Sequence, residues 1–409
     1  MESYNYHNVI VDLIRIIYQY KEDKIIKKET EDLKSNISKL SQEKLLYFLK
    51  KQRLVIFLSE FKSLDLYLPS ISKKIKSIAK IQKLNALILA KKTKDIAYIF
   101  KREKIPILFI KGIPLSLQTT NNPTLRGDGD LDIFVAEKNL YDSINLLKIN
   151  GFERINGYMP KNLKSKIGTY CLKVRNELPL RKIDSSSKKI IDLHWSLCKT
   201  RLNLPSFQNA WDRREKLYIM NQEVNTLGLQ DSFIYSCYNS AKDNWNILRN
   251  IIDIERLNKR IIKEDLNNFE FDKIVFYSLV ITNFYTKSKE SFYPINKREL
   301  LFKTKKIIDI SIKNQLKKIN KNENDQKLYF WNYKNVIEKN LRITRDIKDK
   351  IRIILGFTIL ASSFNDQISG KDRNIFQALF YQLRRFTNNL LKIFKVCLIY
   401  FSKNLSKFN

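Results

Sequence analysis

The chain has 409 residues, 44% of them hydrophobic and 29% charged, which excludes a disordered chain and allows two or three domains with real cores. Its formal net charge of +34 favours anionic partners such as nucleic acid, nucleotides or an acidic membrane surface. Because Lys, Ile and Asn are abundant throughout the chain, compositional bias explains the charge more simply, and nucleic-acid binding is kept as the lesser alternative.

Cysteine and histidine usage narrows the possible kinds of site. The four cysteines lie far apart without a CxxC pair, which argues against a zinc ribbon and a disulfide framework and favours a reducing compartment. With only two histidines, a histidine-rich metal site is excluded. The sequence has no signal-peptide pattern and no window of about 18 apolar residues, so we expect a cytoplasmic protein.

Residues 1–104 are predicted to form a helical N-terminal region. Apolar residues recur at helical spacing in Val9–Ile17, Leu45–Lys51 and Ile75–Phe100. Pro106 lies just beyond the last of these, and the residue before a proline is disfavoured in the α conformation. The helical pattern is therefore expected to end near Lys104.

The pattern changes between residues 105 and 200. Ile107–Ile110 is a continuous apolar run typical of a buried strand, and Leu131–Val135 alternates as a half-buried strand does. Lys138–Ile149 predicts a helix that ends at Asn150-Gly151. Two further strands are predicted at Thr169–Val174 and Lys189–Leu197. This order of elements predicts an α+β fold with a small mixed sheet between helical regions.

Residues 201–370 are predicted to form a helical C-terminal domain, with Asp231 as the N-cap of the helix Ser232–Lys242. The further helices are predicted at residues 245–258, 264–287, 296–320 and 330–356. Residues 371–409 form a basic, apolar tail, which could lie on a membrane surface as a peripheral helix. Packing of this helix on the domain explains the pattern equally well and is the interpretation we adopt.

Two acids in the predicted strand region indicate a cation site. Asp130 and Asp132 are two residues apart, so on a strand they share one face. Neighbouring carboxylates repel each other unless a cation lies between them. The usual cation is a hard divalent ion such as Mg²⁺, bound together with substrate phosphates. The pattern therefore predicts phosphoryl- or nucleotidyl-transfer chemistry.

Three further positions complete the predicted site. Lys111-Gly112 follows the first strand, where a turn opening into a helix offers backbone N–H groups to phosphate oxygens. Arg126 supplies a second positive charge, and Asp192 supplies a third carboxylate if its strand lies beside the first acid pair. Structural roles stay open for Lys111 as a turn residue and for Arg126 in an ion pair. His194 shares a face with Asp192 and is interpreted as a supporting residue.

These motifs resemble those of an uncharacterised bacterial nucleotidyltransferase family in the superfamily with the DNA polymerase β-like fold. The matching segments are Phe109–Gly112, Arg126, Asp130–Val135 and Ile191–Trp195. The superfamily's usual Gly-Ser or Gly-Gly turn is replaced here by Lys111-Gly112-Ile113. The resemblance extends weakly through Ser232–Leu257 and does not obviously cover the first ~70 residues or the basic tail.

The resemblance implies a metal-dependent nucleotidyltransferase that moves an NMP group from an NTP to an unknown acceptor. Asp130, Asp132 and Asp192 would bind Mg²⁺ or Mn²⁺ and carry the catalysis, and Lys111, Gly112 and Arg126 would bind the nucleotide. The alternative from a different class is a non-catalytic protein of the same fold. It would bind nucleic acid or an anionic membrane surface through its positive charge.

Overall fold

The computed structural model describes residues 2–19, 27–127, 129–155, 159–160, 162–183, 191–198, 204–261 and 273–287, together with 308–309, 311–313 and 315–316. The predicted helices at 296–320 and 330–356 therefore lie wholly or largely outside the described residues, as does the tail. Within the described part of the chain, no helix is both long enough and apolar enough to cross a membrane.

The N-terminal region is helical, as predicted. Its helices are α1 (Glu2–Gln19), α2 (Lys27–Ser38), α3 (Gln42–Lys51), α4 (Val55–Ser59), α5 (Leu64–Tyr67) and α6 (Pro69–Arg102). Helix α6 ends through a left-handed Lys104, with φ +55°, after which the Ile105 N–H donates to the Phe100 carbonyl at 3.0 Å. This turn is a Schellman-type stop, so α6 ends before Pro106 constrains the chain.

A mixed sheet is the centre of the fold. Over the described residues it has seven strands in the order β3-β4-β5-β2-β1-β7-β6. The strands are β1 (Ile107–Phe109), β2 (Leu131–Val135), β3 (Phe152–Arg154), β4 (Glu177–Lys182), β5 (Ile191–His194), β6 (Glu215–Ile219) and β7 (Gln222–Thr226). Strand β2 pairs parallel with β5 and antiparallel with β1, while β1 pairs parallel with β7. The predicted α+β class with a mixed sheet is confirmed.

Helices cover both faces of the sheet, and further helices follow it towards the C-terminus. They are α7 (Gly112–Thr120), α8 (Leu140–Ile149), α9 (Lys166–Val174), α10 (Phe207–Asp212), α11 (Leu229–Lys242), α12 (Leu248–Arg260) and α13 (Lys273–Thr286). On one face, Leu131 and Ile133 pack with Leu193 and with α6 residues such as Phe100. On the other face, Phe134 packs with Phe207 and Tyr235 of α10 and α11. Because both faces are covered, β2 and β5 are central, buried strands.

One predicted strand is wrong. Thr169–Val174 lies in helix α9, which begins after Ser165, whose hydroxyl accepts a hydrogen bond from the Gly168 N–H at 3.0 Å. The Trp195 indole N–H donates to the Leu172 carbonyl at 2.8 Å and fixes this helix against the end of β5. The N-cap and the burial of one helical face outweigh the local β propensity of Thr, Tyr and Val.

The expectation of a helical C-terminal domain from residue 201 onward is wrong for residues 215–226, which form the hairpin β6–β7. Met220 and Asn221 form its two-residue turn with φ +49° and +65°. Two successive left-handed residues give the turn twist that hairpins favour. The hairpin joins the central sheet through β7 and β1, so the sheet extends beyond the expected core of 105–200. The division at residues 104, 200 and 370 stays a prediction.

The C-terminal helices differ from the prediction at their starts. Helix α11 begins at Leu229 with Gly228 as N-cap, and Asp231 lies in its first turn, where it accepts from the Arg213 guanidinium at 2.9 Å. Helix α12 begins at Leu248 rather than at Trp245, because Asn244 and Trp245 are both left-handed, with φ +53° and +48°. The predicted helix at 264–287 is described from Lys273 onward as α13.

Candidate active site

The pairing of β2 with β5 brings two of the predicted acids together. In this parallel register Asp132 lies opposite Asp192, and Phe134 lies opposite His194. Directly paired residues project from the same face, so Asp132, Asp192 and His194 share one side of the sheet. One potential ligand atom from each of these three side chains lies within 4.8 Å of the others. The predicted convergence of strand carboxylates is therefore present for Asp132 and Asp192.

His194 is a central part of this cluster. Its side chain is 1% exposed, and its Nε2 lies 3.0 Å from Asp132 Oδ1. Its Nδ1 lies 3.4 Å from the amide nitrogen of Asn176. A carboxylate oxygen only accepts hydrogen bonds, so Nε2 is the donor to Asp132, and Nδ1 also lies 3.7 Å from Glu177 Oε2. His194 thus contacts Asp132, whereas the sequence pointed to Asp192 as its partner.

Lys111 also contacts Asp132. It lies between β1 and α7, and its Nζ is 3.1 Å from Asp132 Oδ1 and 5.3 Å from the centre of the Tyr235 ring. Burial alone would lower the pKa of Lys111, but Asp132 together with Tyr235 and Glu177 outweighs burial and raises that pKa. Burial raises the pKa of Tyr235 to about 12, so its hydroxyl stays neutral beside the ammonium group. Lys111 therefore carries a firm positive charge next to the acid cluster.

The pKa of Asp132 shifts in the opposite sense. Burial would raise it, but the charge of Lys111 and the hydrogen bond from His194 together lower it well below its ordinary value. The Asp132 carboxylate is consequently ionised at neutral pH although its side chain is 11% exposed. An ionised, nearly buried carboxylate on a central strand is suited to hold a cation in a defined place.

Gly112 places the beginning of α7 beside these acids. Its φ is +61°, a left-handed conformation that favours glycine, and a Cβ there would lie 3.6 Å from the Asp130 carbonyl oxygen. It is the first residue of α7, where backbone N–H groups lack partners within the helix. The predicted turn from strand into helix is present, and it lines the same cleft as Asp130 and Asp132.

Asp130 occupies a different position from the other two acids. It precedes β2, its side chain is exposed, and it is not part of the cluster of ligand atoms within 4.8 Å among the described residues. It nevertheless lines the cleft together with Asp132 and Asp192. The three predicted carboxylates therefore face one cavity, two of them at its buried end and one on its exposed part.

Arg126 forms a buried ion pair. Its Nε lies 2.8 Å from Asp253 Oδ2 of α12, and the two side chains are 10% and 2% exposed. Its backbone N–H donates to the Ser116 hydroxyl at 3.1 Å, which ties the preceding loop to α7. The structural role left open for Arg126 is thus present, with Asp253 as the partner. Arg126 also lines the cleft, so the nucleotide-binding assignment stays a prediction.

The cleft has a volume of about 860 Å³, which is large enough for a nucleotide and part of an acceptor. Sequence reasoning missed many of its residues, because they lie in helices and turns without a recognisable motif. From the N-terminal region they are Lys50, Arg53, Ile56 and Gln82. From the loop that precedes β2, and from α11, α12 and the turn between them, they are Gly127, Gly129, Asn239, Asp243, Asn246, Ile247, Arg249 and Asn250.

The comparison with protein families is consistent with this site. Residues 38–283 match the model of a family described as uncharacterised nucleotidyltransferase. The match begins in the N-terminal helical region, so the expectation that the first ~70 residues fall outside the resemblance is wrong for residues 38–70. It also continues through α12 into α13. No curated protein and no solved structure matches the chain.

Proposed function

The chain belongs to a family of uncharacterised nucleotidyltransferases, and from that premise we propose that it transfers an NMP group from an NTP to an acceptor hydroxyl or phosphate, with release of pyrophosphate. The observation that carries the proposal is the grouping of Asp132, Asp192 and His194 on two paired strands. Asp132 and Asp192 line a cleft that Gly112, the first residue of α7, also lines. Acidic ligands for a cation beside backbone donors for phosphate are what such a transfer needs.

The cluster fits a divalent ion. Carboxylate oxygens suit Mg²⁺ and Mn²⁺, and the close spacing of the ligand atoms allows one ion to reach both acids. We assign Asp130, Asp132 and Asp192 as the metal ligands, with Asp130 approaching from the exposed part of the cleft. His194 holds the Asp132 carboxylate in place. When bound, Mg²⁺ or Mn²⁺ would neutralise charge on the phosphate oxygens and make the α-phosphorus easier to attack.

We assign nucleotide binding to Lys111, Arg126 and the N-terminus of α7. The backbone N–H groups at Gly112 donate to phosphate oxygens, and the partial positive charge at the start of α7 adds to this attraction. Lys111 supplies a charged ammonium group beside Asp132. Arg126, held by Asp253, completes the nucleotide site at the edge of the cleft.

We assign Asp192 a second role, which is to activate the acceptor hydroxyl. Its carboxylate accepts the proton of the acceptor hydroxyl as the acceptor oxygen forms its bond to the α-phosphorus. The bond between the α-phosphorus and the bridging oxygen breaks at the same time, and pyrophosphate leaves with those electrons. Because Asp192 lies opposite Asp132 on the neighbouring strand, the proton acceptor and the phosphate site are held by one rigid sheet.

The net charge of +34 supports a second candidate from a different class. In this alternative the protein keeps the nucleotidyltransferase fold without catalysis and binds nucleic acid or an anionic membrane surface electrostatically. Binding of this kind would not depend on the acid cluster. The two candidates therefore differ in their response to substitution of Asp132.

The enzymatic proposal is tested by thermal denaturation with each of the four NTPs, with and without Mg²⁺ or Mn²⁺. We expect at least one NTP to raise Tm in a metal-dependent way, because ligand binding to the folded state stabilises it. Asp132→Asn should abolish this shift, whereas Asp142→Asn, which changes an exposed acid of α8, should retain it. Absence of a shift with every NTP at millimolar concentration would contradict the proposal.

A further inference from the structure

Two segments that are far apart in the sequence place positive side chains on one wall of the cleft. Lys50 and Arg53 lie at the end of α3 and in the turn that follows it, and both side chains are exposed. Arg249 lies in the first turn of α12. All three line the cleft that also contains Gly112 and the predicted acids.

Gln52 joins these two segments. Its side chain is fully buried, and its Oε1 accepts a hydrogen bond from the Leu248 N–H at 2.9 Å. Its backbone carbonyl faces the Arg249 N–H at 3.4 Å. These contacts use N–H groups from the beginning of α12, which have no partners within the helix. The turn that carries Arg53 and the helix that carries Arg249 are therefore held together by direct bonds.

The backbone at Arg53 is held in an uncommon conformation. Its φ is +58°, in the left-handed region that costs a non-glycine residue roughly 1 kcal/mol. The turn closes through the Arg53 N–H, which donates to the Lys50 carbonyl at 3.0 Å. The Leu54 N–H also donates to the Leu49 carbonyl at 2.9 Å, so this turn is a Schellman-type stop of α3, and it fixes where Arg53 leaves the helix.

Arg249 also contacts the loop that precedes β2. Its Nη1 donates to the Arg126 carbonyl at 3.3 Å, which places its guanidinium beside the Arg126–Gly127 segment. Gly127 has φ +90°, and a Cβ there would lie 3.2 Å from Ile56 Cδ1 of α4. The N-terminal helices, this loop and α12 thus pack closely around the cations.

The charge balance of the cleft indicates what these cations bind. Lys111 and Arg126 lie in the same cleft, and each forms an ion pair with a poorly exposed carboxylate. A triphosphate carries several negative charges and needs further positive groups. Lys50, Arg53 and Arg249 offer them in the same cleft as the acids assigned to the metal and the donors at Gly112.

We propose that Lys50, Arg53 and Arg249 bind the polyphosphate group of the nucleotide, so that the N-terminal helices form part of the nucleotide site. This inference rests on the proposed function, because it takes the ligand to be an NTP. An anionic acceptor is the other possible ligand for this wall. The polyphosphate is favoured because metal-bound triphosphate presents both signs of charge, and the cleft offers acids and cations together.

The test uses the full chain and inorganic tripolyphosphate with Mg²⁺ as the probe, measured by calorimetry at constant salt. We expect Lys50→Gln, Arg53→Gln and Arg249→Gln each to weaken binding by about tenfold, since each removes a charged partner of a phosphate oxygen. Lys80→Gln and Arg102→Gln remove exposed cations of α6 that do not line the cleft, and should change the affinity by less than about twofold. Circular dichroism checks that each variant is folded.

The outcomes separate this inference from the proposed function. If tripolyphosphate fails to bind the unmodified chain, or binds Lys50→Gln and Arg53→Gln as tightly as the unmodified chain, the inference is wrong even if an NTP still binds elsewhere in the cleft. If the three variants lose tripolyphosphate affinity and no nucleotide is transferred to any acceptor, the polyphosphate site stands and the enzymatic function falls. Lys50 and Arg53 are exposed, so these two variants keep the test informative if Arg249→Gln does not fold.

Discussion

Asp132 is the residue on which the contacts of the candidate site converge. Its Oδ1 lies 3.1 Å from Lys111 Nζ and 3.0 Å from His194 Nε2. Breaking a poorly exposed ion pair is costly, because it leaves one charge in a site with little water. The contacts of Asp132 with Lys111 and His194 therefore stabilise the folded chain.

Lys111→Met should lower the free energy of unfolding at pH 7 by about 3 kcal/mol, because it leaves the Asp132 carboxylate without its main positive partner. The folded-state pKa of Asp132 lies below its ordinary value of 3.8, so the pair's contribution is complete above that pH and declines as the pH falls further. The difference in stability between the two proteins should accordingly shrink below about pH 4. Urea denaturation at several pH values measures it.

Lys148→Met is the matched control, since Lys148 is exposed on α8 and should change stability by less than about 0.5 kcal/mol. An equal, small effect of both substitutions across the pH range would show that the contact between Lys111 and Asp132 contributes nothing to stability. A large effect that persists unchanged below pH 3 would assign it to packing rather than to charge.

The elements of the site differ in how well the sequence predicts them. Strands β2 and β5 and the helix start at Gly112 follow from apolar runs, alternation and a turn glycine, which are local signals. The helix α9 and the hairpin β6–β7 were mispredicted, because burial against neighbouring elements decides between helix and strand in short segments. The turn at Arg53 had no signal, since a left-handed arginine is not a pattern that composition predicts.

Gln52→Ala tests whether the α3–α4 turn and α12 act as a unit. Loss of the acceptor for the Leu248 N–H should lower the free energy of unfolding by about 1 to 3 kcal/mol. The affinity for tripolyphosphate should fall as well, because Arg53 and Arg249 lose their common anchor. Chemical denaturation and calorimetry measure the two effects.

Gln208→Ala serves as the control for Gln52, because Gln208 is exposed on α10 and its side chain contacts Asp212 of the same helix. It should leave both quantities nearly unchanged. If Gln52→Ala destabilises the chain and leaves the tripolyphosphate affinity intact, the contact is structural and does not position Arg53 and Arg249 for phosphate binding.

At the scale of the whole molecule, binding of polyanions through the net charge should be separable from metal-dependent NTP binding at the acid cluster. The net charge of +34 predicts sequence-independent affinity for duplex DNA that falls at least about tenfold between about 50 and 200 mM salt. Asp132→Asn should leave this affinity unchanged and abolish metal-dependent NTP binding. Fluorescence anisotropy with a labelled duplex measures the DNA affinity, and thermal shift with an NTP and metal measures the NTP binding. Unchanged NTP binding in Asp132→Asn, together with strong DNA binding, would favour the non-catalytic alternative.

The sequence by itself determined the family and predicted the acids and the turn of the candidate site. Each of these features is local. The acids Asp130, Asp132 and Asp192 and the Lys111-Gly112 turn each lie within one short segment, and the family resemblance depends on the same segments. The spacing of residues within one strand or turn can be read directly from the sequence. From these alone the chain was assigned to a nucleotidyltransferase family, which the family match over residues 38–283 confirms.

Tertiary structure decided which of these residues meet. The register that sets Asp132 opposite Asp192 depends on strand pairing across 60 residues of chain, and the pair of Arg126 with Asp253 spans 127 residues. The wall of Lys50, Arg53 and Arg249 exists because Gln52 bonds to a helix 196 residues away. Such contacts arise from burial and hydrogen bonding between distant segments, and local sequence patterns carry no record of them.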